Sequence, residues 1–194
     1  MPDPLRYDRV ALLLHWLTAL AVFGLLGLGF VMTSLPPASS LQFQLFQWHK
    51  SVGISVLALT LLRLAWRLLY RPPALPAAMP VWEKLAAEAN HVLLYALLLL
   101  MPLCGWALVS VARFNVPTVL YGVLPWPHLP VLATLPDKAP VETLMRRLHD
   151  AGGWLLVALL ALHIGAALRH HWLLGDDVLR RMLPRFASTS RRSS

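Results

Sequence analysis

Apolar residues run almost unbroken through four stretches of the chain, roughly Val10 to Thr33, Phe46 to Leu69, Leu85 to Val111 and Leu148 to Leu168. Each is close to the ~20 residues that a helix needs to cross the hydrocarbon of a bilayer. Polar positions gather in the gaps, which are marked by Pro36 and Pro37 after the first stretch and by Pro72, Pro73, Pro76 and Pro80 after the second. Because a backbone in lipid must satisfy its own hydrogen bonds, the pattern predicts an all-α integral membrane four-helix bundle. Pro102 lies inside the third span, where it should kink the helix and free a carbonyl. The long connection from Ala112 to Arg147 carries Pro117, Pro125, Pro127, Pro130, Pro136 and Pro140 among aromatic residues. It is expected to form an ordered cap on the membrane surface.

Composition agrees with that reading. Of 194 residues 58% are hydrophobic and 13% are charged, which is far from the balance of a soluble domain. The basic residues divide unequally between the two ends of the bundle. Arg6, Arg9, Arg63, Arg67, Arg71, Lys84, Arg169, Arg180, Arg181, Arg185, Arg191 and Arg192 fall on one side; Lys50, Arg113, Lys138, Arg146 and Arg147 fall on the other. This excess places both termini in the cytoplasm of a multi-pass membrane protein. The net charge of +8 then faces anionic membrane lipid, and no nucleic-acid partner is expected. A single domain is read over 1–186, followed by a basic disordered tail over 187–194.

The first span follows Arg6 and Arg9 as a secretory leader would, but its apolar run is too long, no small-x-small site follows it, and it carries His15. It is expected to stay in the mature protein. The single cysteine, Cys104, excludes an intramolecular disulfide and a C-x-x-C-H haem attachment, so any haem is noncovalent and b-type.

The chemistry rests on histidines. His149 and His163 are fourteen residues apart in the fourth span, almost four whole turns, so they share one face about 21 Å apart along the axis. Ionisable side chains at two membrane depths need partners. His49, near the outer start of the second span, lies level with His149, and His15, near the inner start of the first, lies level with His163. Two imidazoles at one depth on facing helices suit the two axial positions of a haem iron. Gly53 and Gly153 each follow a histidine by one turn, and Gly29 follows His15 by fourteen residues. A flat ring wedged between helices needs such bare backbone. Arg63, fourteen residues after His49, reaches the inner level, where a haem propionate would pair it.

The halves of the chain also resemble each other. The second span aligns with the fourth, matching His49 to His149 and setting Arg63 opposite His163. The first aligns with the third, matching His15 and Gly29 to His91 and Gly105. By spacing, His91 and His15 are therefore rivals for the inner site, and the other would line a substrate pocket. Asn90 and His91 are candidates for binding a quinone carbonyl there, with His170, His171 and Trp172 nearby. His128, in the proline-rich loop, receives no role.

The segments R-x-D-x6-H-W, W-H-K-S-x-G, R-L-x-W-R, N-H-x-x-L-Y, L-H-D-x-x-G and L-H-I-G-A-A-L-R-H-H-W, spread from Arg6 to Pro184, resemble the bacterial cytochrome b561 family of four-helix di-haem membrane proteins. The resemblance implies two noncovalent haem b groups, the inner held by His15 and His163 and the outer by His49 and His149. Members of this size resemble superoxide oxidases, which would take electrons from periplasmic superoxide and reduce ubiquinone. Lys50, Arg146 and Arg147 beside the outer histidines would attract the anion. The alternative functions are a cytochrome b subunit serving a separate dehydrogenase or periplasmic carrier, and a haem-free transporter or channel.

Overall fold

A computed structural model describes residues 6–76 and 79–183. The tail read over 187–194, its boundary at 186, and Arg185 lie outside the described residues. The elements are α1 (Arg9–Ser34), α2 (Ser40–Leu69), α3 (Val81–Val111), β1 (Thr118–Leu120), β2 (Leu124–Trp126), the single turn α4 (Pro130–Ala133) and α5 (Ala139–Trp172), followed by a 3-10 turn (Arg180–Met182).

Four of these, α1, α2, α3 and α5, are long and apolar enough to cross a membrane. They overrun the apolar stretches that announce them, because capping chemistry rather than hydropathy sets their ends. The Asp8 carboxylate accepts from the Val10 and Ala11 amides and starts α1. The Ser39 hydroxyl accepts from Gln42 N and starts α2 six residues before the apolar run. In α5, Pro140 and Glu142 occupy the first turn, where a missing N–H costs nothing and a negative charge suits the helix dipole. The expected connection to Arg147 therefore ends at Lys138, and α5, with 34 residues, is about 51 Å long, more than the ~30 Å of hydrocarbon. Pro102 sits within α3, which stays helical on both sides of it.

The helices pack as α1 along α2, α3 along α5, and α2 against α3. Val22, Val56, Leu94, Leu98, Leu156 and Leu159, drawn from all four, form the buried core. Outside it the helices present Leu13, Leu20, Leu62, Leu93 and Leu162, all exposed, as a lipid-facing surface requires. Buried hydroxyls in the spans are satisfied within their own helices: Thr18 donates to Leu14 O, Thr60 to Val56 O and Ser110 to Trp106 O.

The cap differs from the all-α expectation by a small antiparallel hairpin pairing Thr118 with Trp126 and Leu120 with Leu124. Its first strand lies on α2 and α4 lies on α3. At the opposite end, Arg6 donates to Arg180 O and Leu183 O, Trp16 to Met182 O, and Arg181 to Ala74 O. Both described ends of the chain thus meet at the arginine-rich end, as an even number of spans requires.

Candidate functional site

The helix pairing brings the predicted histidines together at two levels. At the outer level the His49 and His149 rings have centroids 6.2 Å apart at 71°. At the inner level His15 and His163 are 6.4 Å apart at 50°. Two imidazoles bound to opposite faces of one metal, each through a bond of about 2 Å, hold their centroids about 6.3 Å apart. Both pairs fit that spacing. His91 joins the inner cluster, but its centroid is 5.4 Å from that of His163, about 1 Å closer than the spacing just given. Among the described residues no three His, Cys, Asp or Glu side chains converge as a metal cage.

Between the two levels lies the apolar core. Each helix contributes to it from the stretch between a pair of positions fourteen apart: Val22 between His15 and Gly29, Val56 between His49 and Arg63, Leu94 and Leu98 between His91 and Gly105, Leu156 and Leu159 between His149 and His163. This layer keeps water and charge out of the middle of the bundle.

The hydrogen-bonding state of the imidazoles also suits an axial ligand. Nδ1 of His49 and Nδ1 of His149 are buried without a well-aligned partner. The two rings stand beside the backbone carbonyls of Leu25 and Met101 respectively. Iron-bound imidazoles commonly direct their second nitrogen at such a carbonyl. His15 differs. Nη2 of Arg63 lies 3.1 Å from its Nδ1, and since guanidinium only donates, a neutral His15 in this contact carries its proton on Nε2; ligation through Nε2 requires Arg63 to release Nδ1, which also frees the guanidinium. The Arg63 guanidinium also lies over the Tyr95 ring at 5.2 Å, with Arg67 over the same ring at 5.9 Å. None of the described ion pairs involves Arg63, leaving a half-buried cation at the inner level available to a propionate.

The glycines divide into two kinds. A Cβ on Gly53 or Gly153 would meet nothing within 4 Å, so the backbone one turn from each outer histidine borders open space. Gly29 and Gly105 instead touch the outer imidazoles: a Cβ there would lie 3.7 Å from His49 Cε1 and 3.2 Å from His149 Cε1. Gly105 enters the sequence reading only through the internal repeat, and that repeat was the available signal. In space it becomes a pseudo-twofold relation, with His49 resting on α1 at Gly29 as His149 rests on α3 at Gly105. Gly105→Val is expected to push the His149 ring off its seat at a cost of about 1–3 kcal/mol and to weaken outer haem retention. Haem content after detergent washing measures this.

The basic residues expected to attract an anion are partly engaged. Lys50 Nζ donates to Pro117 O at 3.2 Å. Arg146 pairs with Glu142 at 2.9 Å. Arg147 is exposed and lines an outer pocket with Arg113, Arg146, Glu142 and Asp150. At the inner level Asn90 is 7% exposed and its Oδ1 has no partner. His170, grouped by sequence with the quinone candidates, is held between Asp176, 2.5 Å from its Nδ1, and Glu83, 3.8 Å from its Nε2. It clasps α3 to the segment after α5. The hairpin residue Tyr121 carried no signal in the sequence, and Tyr95 stands there only as the last residue of N-H-x-x-L-Y; each matters through contacts that only the packing creates.

The profile of the family described as "Prokaryotic cytochrome b561" matches residues 6–185. The chain is 34% identical over 186 residues to "Cytochrome b561 homolog 2" of Escherichia coli K12, covering 95% of each. It is 28% identical to "Cytochrome b561 homolog 1" of the same organism, over 93% of this chain and 98% of that one. It is also 28% identical to "Probable superoxide oxidase CybB" of Yersinia pestis, over 93% and 97%. With four apolar spans and a match along nearly its whole length, the chain belongs to the prokaryotic cytochrome b561 family, multi-pass inner-membrane proteins of electron transfer that bind haem b.

Proposed function

We propose that this protein carries electrons between the outer and inner faces of the membrane through two haem b sites, oxidising superoxide outside and reducing ubiquinone inside. The observation that carries the reading is the two imidazole pairs at 6.2 and 6.4 Å, separated by an apolar layer. His49 and His149 would hold the outer group; His15 and His163 would hold the inner one. Bound there, haem b supplies reversible one-electron carriage between iron(II) and iron(III).

The remaining residues set the conditions. The core fixes the separation of the two levels and excludes water. Arg63 offers its guanidinium to a propionate, which releases His15 Nδ1 to carry the ring proton. Arg113 and Arg147 at the outer pocket favour approach of a small anion. Asn90 and His91 supply a buried amide and an imidazole to the carbonyl oxygens of a quinone. In balance, two superoxide anions each lose one electron and leave as dioxygen, while one ubiquinone gains two electrons and two protons. The similarity to a relative named as a probable superoxide oxidase supports the choice of donor.

The engagement of Lys50 by Pro117 O and of Arg146 by Glu142 favours the second reading, a cytochrome b subunit fed by a separate dehydrogenase or a periplasmic carrier. Purified alone, the protein is expected to show a reduced b-type spectrum on addition of superoxide and to be reoxidised by ubiquinone. Reduction by dithionite but not by superoxide would select the second reading, and a preparation without haem would overturn both.

A further inference from the structure

The outer hairpin splints the turn of α2 that carries His49. At 100° per residue, positions 47 and 51 lie across α2 from position 49, with 48 and 50 on its flanks. Every one of those four touches the cap. The Gln47 amide donates to Pro117 O at 2.8 Å and accepts from Val119 N at 3.3 Å. Trp48 meets the Tyr121 ring edge-on at 5.7 Å, and Lys50 donates to Pro117 O. Ser51 Oγ accepts from Tyr121 N at 2.9 Å while donating to Gln47 O. One turn on, the Tyr121 hydroxyl and Ser55 Oγ are 2.5 Å apart. Only His49 points the other way, at His149.

Tyr121 is the centre of this contact, and its backbone is strained. Its φ is +54°, followed by Gly122 at +72°. Asn or Gly adopts this left-handed region readily and an aromatic residue rarely does, so the turn by itself would favour another residue. Strain of this kind persists where the surroundings enforce it, and here they do so through contacts to Trp48, Ser51 and Ser55 of α2.

We infer that Tyr121 is a positioning residue for the outer haem ligand: through Ser51 and Ser55 it fixes the depth and rotation of the α2 turn that presents His49. This rests on His49 and His149 forming the outer pair. If that reading fails, the unsubstituted protein binds fewer than two haems; if this inference fails, two haems are present and Tyr121 does not matter to either.

The test is redox potentiometry of the purified holoprotein, with the outer haem identified as the one missing from His49→Ala. Tyr121→Asn relieves the turn, so it should leave the melting temperature unchanged or higher. It should nevertheless shift the outer midpoint potential, leave the inner one in place, and raise amide hydrogen exchange across 45–53. Tyr121→Phe, which keeps the ring against Trp48, should restore part of the shift. Ser55→Ala, which removes one of the hydroxyl's two partners and leaves Ser51 O and the turn in place, should reproduce part of it and decides the matter should Tyr121→Asn fail to fold. Both potentials unchanged in Tyr121→Asn and Ser55→Ala, or both moved equally, would overturn the proposal.

Discussion

His49→Ala is expected to lose the outer haem and keep the inner one, halving the haem bound per chain. His149 would then face a methyl group across a 6.2 Å gap that no other described histidine fills. The inner pair should be untouched, because the layer formed by Val56, Leu98 and Leu156 lies between the levels. Haem quantitation with a reduced-minus-oxidised spectrum measures the result. Retention of both haems would remove His49 from the ligand set, and loss of both would show that the levels are not independent.

The second large effect separates His15 from His91. His15→Ala should abolish inner haem binding, whereas His91→Ala should retain both haems and instead raise the KM for ubiquinone. The warrant is geometric: His15 stands 6.4 Å from His163, close to the separation across one metal, and His91 stands at 5.4 Å. A haem lost in His91→Ala and kept in His15→Ala would reverse the assignment.

These outcomes were legible to different degrees in the chain. The four spans could be read because lipid imposes one solution on a long apolar stretch, an internally hydrogen-bonded helix. The histidine levels could be read because a helix converts spacing into depth, and fourteen residues bring a side chain back to the same face. Helix ends were less legible: α5 begins at Ala139 within what reads as loop, since Pro140 disguises a helix start as a break.

Contacts between segments remote in sequence were not legible at all. The hairpin strands have three residues each, one containing Pro125, too short for a periodic signal. The seat of His149 on Gly105 and the clasp of His170 by Glu83 and Asp176 exist only once α3 lies along α5.

By itself, then, the sequence determined the membrane fold, the number of spans, and two imidazoles on one face of the last helix at two depths. The tertiary structure decided how closely His15 and His91 each approach His163, which glycines touch imidazoles, and what braces the turn bearing His49. The physical reason is that hydropathy and helical periodicity act along a single segment, whereas the distance between two side chains depends on how separate helices pack.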